Sequence, residues 1–298
     1  MFSITLICMG KLKEKFYTEA AAEYAKRLKA YCAFQLIELP ECRLPEEPSA
    51  AQIAPPPQVS AKSAALLDGM TGECLYAKNG NQRALIASTT KIMTGLLVCE
   101  AGELEKNVTV PDAAVGLEGS SMYLKKGETL TRGDLLYGMM LHSGNDAALT
   151  LAISVSGGEA AFVRQMNLRA RALGLTQTHF ANPHGLDSGE NYSTALDLAH
   201  LAQAALQNAQ FRLAVSTKSI TCAGRTLTNH NKLLWRYDGC IGGKTGTTDN
   251  TTNLWFCGYT PQLACALWTG YSAGEIPIQK YGTDLLGDST NLPVFKRF

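Results

Sequence analysis

Ala87-Ser88-Thr89-Thr90-Lys91-Ile92-Met93-Thr94-Gly95-Leu96-Leu97-Val98-Cys99-Glu100-Ala101-Gly102 is the stretch on which the reading of this chain turns. From Ser88 to Ala101 it is an apolar helix, closed by Gly102. Upstream, residues 63–68 and 73–77 flank the turn Gly69-Met70-Thr71-Gly72 and read as a β-hairpin. Downstream, helices are expected over 132–141, 145–155, 159–173 and 194–208, punctuated by Gly157-Gly158 and Gly174. The chain then returns to strands over 241–247, 253–260 and 263–271, the last two joined across Pro261-Gln262. Strands at both ends with helices between them predict an α/β (α+β) domain over 61–272, its outer strands meeting in one sheet. A tail follows over 273–298.

Residues 1–42 have a different texture. An extended run from Phe2 to Ile7 precedes Phe16, Ala20, Tyr24, Leu28 and Tyr31 at helical spacing, and Phe34 to Leu39 is again strand-like. This is a small βαβ fragment, too short to bury a core alone. Pro45, Pro48, Pro55, Pro56 and Pro57 make 43–60 a stiff, solvated linker.

Composition narrows function by exclusion. The formal net charge of +1 provides no global field for nucleic acid, so no nucleic-acid partner is expected. No run approaches the ~20 apolar residues of a membrane span, so no membrane span is expected. Lys11, Lys13 and Lys15 follow the short apolar run instead of preceding it, and no export signal is readable there. The 9 cysteines are odd in number and show no metal or redox spacing, so Cys99, Cys257 and Cys265 read as small apolar fillers.

Three triplets carry chemistry. In Ser88-x-x-Lys91 a hydroxyl and an amine stand one helical turn apart on one face. A lysine desolvated by Ile92, Met93, Leu96 and Leu97 can become neutral enough to take the serine proton. Alone, the pair is a weak signal, and Ser88 reads first as an exposed capping serine. Ser143-Gly144-Asn145 sits between two helices and can relay a proton and hold an amide, or simply cap the second helix. Lys244-Thr245-Gly246-Thr247, after Gly242-Gly243 and before a strand, can hold a carboxylate on a strand edge that a ligand backbone approaches closely, or be an ordinary glycine-rich turn. Each occurs once, in the order Ser-x-x-Lys, Ser-x-Asn, Lys-Thr-Gly, which is the order in penicillin-binding proteins and class A β-lactamases.

Residues 61–250 accordingly resemble the low-molecular-mass penicillin-binding D-alanyl-D-alanine carboxypeptidases. Ala87–Thr94, Gly119–Lys125, Asp134–Gly138, Ser143–Ala148, Leu173–Phe180 and Asn182–Asp187 carry the likeness beyond the triplets. The resemblance implies a penicillin-binding/β-lactamase-like transpeptidase fold: a five-stranded antiparallel sheet flanked by helices. It implies that Ser88 attacks the carbonyl between the last two D-alanines of a peptidoglycan stem peptide, with Lys91 as general base and Ser143 relaying a proton. Asn145 would orient Lys91, Lys244 would support the electrostatics, and Thr245 and Thr247 would receive the terminal carboxylate beside Gly246. The backbone N–H groups of Ser88 and Thr247 would form the oxyanion hole. No metal or organic cofactor is implied, β-lactams would be covalent inhibitors, and the place of work would be extracytoplasmic, inferred from the substrate.

Two departures are visible. Residues 247–261, the continuation to Tyr271, and Leu292–Lys296 look like the transpeptidase end of bifunctional penicillin-binding proteins. The second triplet reads Ser-Gly-Asn, which favours a carboxypeptidase over a class A β-lactamase, and no convincing equivalent of that lactamase's deacylating glutamate is found, Glu190 being the nearest. The opening Met1–Lys15 resembles that of the knotted ribosomal RNA pseudouridine methyltransferases. The cofactor-binding knot of that family has no counterpart, so no methylation is expected, and the chain reads as a mosaic. A non-catalytic cell-wall binding module and an RNA-modifying protein are the readings from other classes. His142, His179, His184, His200 and His230 share no metal spacing, and His184 and Asp187 border the expected cleft. Trp235, Trp255 and Trp268 read as core or rim aromatics.

Overall fold

The strands from both ends of the 61–272 segment meet in one sheet in the computed structural model, which describes residues 59–186, 189–271 and 276–280. Also described are the strands β1 (Phe2–Met9) and β2 (Cys32–Leu39), Thr283–Asp284, and helical positions 19, 22, 23, 26 and 27. The chain divides into two compact units, Met1–Pro56 and Pro57–Phe298. The expected helical face of Phe16, Ala20, Tyr24, Leu28 and Tyr31, the linker prolines, Asp187 and Leu292–Lys296 lie outside the described residues.

In the first unit β1 and β2 pair in parallel, from Phe2 opposite Cys32 to Met9 opposite Leu39. Parallel neighbours need a crossover between them. The helical positions fall in that crossover, where Arg27 Nε donates to Glu23 Oε1 at 2.9 Å.

The second unit is built on β3 (Ser63–Asp68), β4 (Cys74–Lys78) and a short β5 (Ala84–Leu85). A 3₁₀ turn over Ala87–Thr90 leads into α1 (Lys91–Ala101). Then come β6 (Asn107–Thr109), β7 (Thr129–Thr131), α2 (Arg132–Leu141), α3 (Asn145–Ser156), α4 (Glu159–Ala172), β8 (Tyr192–Ser193) and α5 (Ala195–Leu206). The chain continues through α6 (Ala209–Ser216), a hairpin of β9 (Ser219–Cys222) and β10 (Arg225–Thr228), and a single turn α7 (Leu233–Arg236). It ends in β11 (Gly242–Thr247), β12 (Asn253–Tyr259) and β13 (Leu263–Gly270). The main sheet has five strands in the order β11-β12-β13-β3-β4, antiparallel throughout.

Alternation along the strands builds a core on each face. Ala65 and Leu67 of β3, Trp255 and Cys257 of β12 and Ala266 of β13 join the helical core; Ala64, Leu66, Phe256, Cys265 and Leu267 join a smaller cluster with Leu233 and Leu234 of α7. Buried on both faces, β3 and β13 read as continuous apolar runs. α5 lies across β3 and β13, and α1 packs among α2, α3, α5 and α6. That last packing needs Gly95, because a Cβ there would stand 3.0 Å from the Phe211 ring and 3.2 Å from Met140 Sδ.

Several elements depart from expectation: the α-helix read from Ser88 begins only at Lys91, after the 3₁₀ turn. The helix over 194–208 stops at Leu206, and Asn208 caps a new one by accepting from Gln210 N and Phe211 N. The β9–β10 hairpin was not foreseen, since polar threonines dominate its exposed face.

Gly95→Val should therefore overpack the junction that seats α1. We expect it to lower stability by about 2 kcal/mol, read as a shift in the urea midpoint at unchanged slope.

Candidate active site

The 3₁₀ turn puts Ser88 one turn ahead of Lys91 at the mouth of α1, whose first residues are buried. Lys91 has no exposed surface, and its Nζ stands 2.9 Å from Ser88 Oγ, 2.7 Å from Asn145 Oδ1 and 2.5 Å from the carbonyl oxygen of His184. Burial, and next the nearby charge of Lys244, holds this amine well below the usual lysine range, while Asp146 opposes the shift. Asn145 cannot turn: its Nδ2 donates to the Glu118 carbonyl at 2.6 Å, which fixes Oδ1 toward Lys91.

Lys244 is the centre of a second cluster. It is 3% exposed, and its Nζ donates to Ser143 Oγ and to the Thr245 carbonyl, both at 2.9 Å. Burial pushes its ammonium down to about 7, with Cys257 opposing. β11 is the edge of the main sheet. Thr248 N donates to Asn253 O, so by antiparallel alternation Lys244 and Gly246 turn their backbone groups to β12 and Thr245 and Thr247 turn theirs to the free edge. The Thr245 and Thr247 side chains are half-buried there. Gly246 lies against the 3₁₀ turn, where a Cβ would meet Ile86 O at 2.9 Å and Thr89 N at 3.2 Å. The edge strand and the Ser88 turn are thus in van der Waals contact only because residue 246 has no side chain.

The backbone is strained at both serines. Ala87, next to Ser88, has φ +45° and Ser143 has φ +61°, left-handed values uncommon outside glycine. Such residues persist where their surroundings over-determine them. Gly185 presses on Ala87, with a φ of +86° and no room for a Cβ, which would fall 2.0 Å from Ala87 O. Asp146 anchors the loop between β6 and β7: its carboxylate accepts from Met122 N at 2.9 Å, Leu124 N at 3.0 Å, Ser121 Oγ at 2.6 Å and its neighbour Ala147 N at 2.8 Å.

Ser88, Lys91 and Asn145 are joined by hydrogen bonds, Ser143 is joined to Lys244, and Gly246 closes the gap between strand and turn. Sequence reasoning missed the contribution of His184, which enters through its carbonyl. Its ring is buried and neutral, its pKa pushed down to about 4 by burial and next by Lys91, while Nδ1 accepts from Leu186 N. It also missed Asp146, whose signal was an acid directly after the Ser-Gly-Asn triplet. Glu190 is exposed, and its carbonyl accepts from His179 Nδ1.

Residues 50–257 match the family described as D-alanyl-D-alanine carboxypeptidase. The chain belongs to the D-alanyl-D-alanine carboxypeptidase family. Among its relatives in that family, the D-alanyl-D-alanine carboxypeptidase DacF of Bacillus subtilis is 39% identical over 198 residues, 63% of this chain and 51% of that one. The D-alanyl-D-alanine carboxypeptidase of Streptomyces sp. K15 is 38% identical over 213 residues, 64% of this chain and 73% of that one. The chain spans about half the length of the DacF and Escherichia coli DacD relatives. Among solved structures, the D-alanyl-D-alanine carboxypeptidase from Mycobacterium tuberculosis superposes with a TM-score of 0.71 at 31% identity, covering 82% of this chain and 94% of that one. The family's penicillin-binding fold is therefore the fold of this chain, as penicillin binding protein 6B from Escherichia coli also indicates (TM-score 0.68, 35% identity, 78% and 77% covered). A second family, described as predicted SPOUT methyltransferase, matches residues 2–83. Its overlap with the carboxypeptidase-family match includes β3 and β4, which are strands of the five-stranded sheet.

Asp146→Ala should leave the donors of Met122, Leu124 and Ser121 without their acceptor. The expected loss is about 3 kcal/mol of unfolding free energy in urea, more than a surface Asp→Ala change produces.

The depressed Lys244 pKa carries a sign for stability. In the unfolded chain the amine keeps its proton to about pH 10.4, whereas in the folded chain it releases it near 7. The unfolded chain thus binds more protons between those values, so this residue's cost is full below about pH 7 and lessens as pH rises. Unfolding measurements at about pH 7 and about pH 9 should show parent stability rising relative to Lys244→Met across that step.

Proposed function

We propose that this chain is a serine D-alanyl-D-alanine carboxypeptidase, acting on peptidoglycan stem peptides through an acyl-enzyme on Ser88. The observation that supports this most is the company kept by Lys91 Nζ. Two of its three partners, Asn145 Oδ1 and His184 O, are carbonyl oxygens that can only accept. A neutral amine has two N–H groups to give them. Its lone pair is then left to the Ser88 hydroxyl, the one partner that carries a proton. Burial keeps the amine neutral, and the geometry aims its basicity at the nucleophile.

In this reading Ser88 Oγ attacks the carbonyl of the penultimate D-alanine as Lys91 takes its proton. The backbone N–H groups of Ser88 and Thr247 receive the oxyanion, the second of them from the free edge of β11. The C–N bond breaks as the proton passes to the departing amine by way of Ser143, which Lys244 holds in place. Thr245 and Thr247 receive the terminal carboxylate, and a water then hydrolyses the ester. A β-lactam presents a strained amide to the same serine and stays attached. The substrate places the enzyme on the outer side of the cytoplasmic membrane.

A second acceptor has a specific observation in its favour. A mutant of the Streptomyces K15 DD-transpeptidase superposes with a TM-score of 0.68 at 31% identity, covering 81% of this chain and 99% of that one. The same residues over 247–271 suit an amine acceptor in place of water, giving DD-transpeptidation. Rapid turnover of penicillin would instead indicate a β-lactamase.

Intact-mass spectrometry after incubation with benzylpenicillin should show a single adduct on the parent and none on Ser88→Ala. Lys91→Gln should slow adduct formation by about 10³-fold. D-alanine release from a model stem peptide should follow the same order. A folded parent that forms no adduct and releases no D-alanine would contradict the proposal.

A further inference from the structure

A cavity of about 510 Å³ lies against α4 and is lined by Val163, Arg164, Asn167, Leu168, Arg171 and His179. Arg164, Leu168 and Arg171 recur at helical spacing, so one face of α4 carries two guanidinium groups with an apolar side chain between them. At 1.5 Å of rise per residue the two arginines start about 10 Å apart along the axis, close enough for their long side chains to converge on one small ligand.

Both walls of the cavity are fixed from within. Asn167 Nδ2 donates to the carbonyls of Val163 at 3.1 Å and Phe180 at 2.7 Å, and its Oδ1 accepts from Phe180 N at 3.0 Å. Phe180 has no exposed surface, so this clasp ties the segment bearing His179 to the helix. On its other side the segment pairs with Tyr192. His179 N donates to Tyr192 O, Tyr192 N donates back to His179 O, and the two rings stack at 5.8 Å between centroids.

The cations of this cavity are ones that the fold leaves uncompensated. Arg132, Arg169 and Arg225 each meet a carboxylate, Arg83 meets Gln177, and Arg212 meets the Leu206 carbonyl. Arg169 shares α4 with the cavity arginines but turns to Glu100 of α1. Arg164 and Arg171 are exposed and have no hydrogen-bond or ion-pair partner among the described residues, and no carboxylate is among the residues lining the cavity. His179 Nδ1 stands 2.8 Å from the carbonyl oxygen of Glu190. A carbonyl can only accept, so in the neutral ring Nδ1 carries the proton and Nε2 is left as an acceptor.

Planar guanidinium forks match the oxygens of a phosphoryl group, and an acceptor nitrogen beside them suits a hydroxyl. We propose that this cavity is a binding site for a polyol phosphate ester. Arg164 and Arg171 hold its phosphoryl group, and a hydroxyl of the polyol donates to His179 Nε2. Val163 and Leu168, the latter 57% exposed, lie along the carbon chain of the ligand. The site shares no residue with the cluster around Ser88 and does not rest on the acyl-transfer reading. The same chemistry is offered by a soluble polyol phosphate and by the head group of phosphatidylglycerol, and the test separates the two sources.

The full chain is titrated with glycerol 3-phosphate, inorganic phosphate and glycerol by calorimetry at fixed ionic strength. Glycerol 3-phosphate should bind saturably and more tightly than inorganic phosphate, glycerol should not bind, and added salt should weaken the binding. Arg164→Gln/Arg171→Gln, both changes at exposed positions, should weaken it about tenfold or more while leaving the urea midpoint of unfolding and the rate of acylation by benzylpenicillin unchanged. Arg164→Lys/Arg171→Lys should recover only part of the affinity, because an ammonium keeps the charge and loses the fork. His179→Ala should bring glycerol 3-phosphate down to the level of inorganic phosphate. In a second arm, vesicles of phosphatidylglycerol and of phosphatidylcholine are floated with the chain. Capture by the first alone, dependent on the same two arginines and without binding of the soluble ester, would keep the site and make the lipid head group its source. Absence of binding in both arms, or binding that survives Arg164→Gln/Arg171→Gln, would overturn the site. A parent that binds the ester but forms no penicillin adduct would count against the acyl-transfer reading and leave this site standing.

Discussion

A lysine with no exposed surface must find acceptors for its protons or be pushed toward giving one up; Lys91 has three oxygen partners, and burial holds its amine well below the usual lysine range. Its amine needs a hydroxyl, an amide oxygen and a main-chain carbonyl at 2.9, 2.7 and 2.5 Å, supplied by three separate parts of the chain. The rest of the domain can be understood as the arrangement that keeps them there. Asn145 is held by Glu118, the loop between β6 and β7 by Asp146, and the His184 carbonyl by the turn in which Gly185 touches Ala87. The left-handed backbone at Ala87 and Ser143 is the local cost of bringing both serines to the cleft.

The edge strand is the second constraint. Only at an edge are alternate backbone groups of β11 free for a ligand, and only glycine at 246 lets that edge reach the Ser88 turn. Lys244 bridges the two halves, reaching from the strand to Ser143 while its charge adds to the lowering of the Lys91 pKa. Burial lowers both lysines: Lys91, fully enclosed, is held well below the usual lysine range, and Lys244 is pushed down to about 7.

Much of this was legible in the residues. The strands at 63–68, 253–259 and 263–270 and the helices at 132–141 and 145–156 announced themselves by apolar runs and glycine stops, and the triplets marked the site by their order. What stayed hidden was tertiary. The role of His184 is carried by its backbone, which no side-chain motif encodes. Ser88 lies in a 3₁₀ turn and not inside the α-helix, because the αL residue Ala87 breaks the helical path just before it. The β9–β10 hairpin is polar on its outer face, and its pairing is stabilised by Arg225, which reaches Glu128 and the Met122 carbonyl far away in sequence.

The most direct test of this account is the protonation state of Lys91 itself. Lysine Nζ resonances in a ¹⁵N-labelled sample can be followed through pH, with the Lys91 signal assigned by its loss in Lys91→Met. The account predicts a resonance with the neutral-amine shift at about pH 9, where an ordinary lysine is still an ammonium. A Lys91 resonance that remains cationic up to about pH 10 would show that burial does not deprotonate it, and the lone pair aimed at Ser88 would not exist.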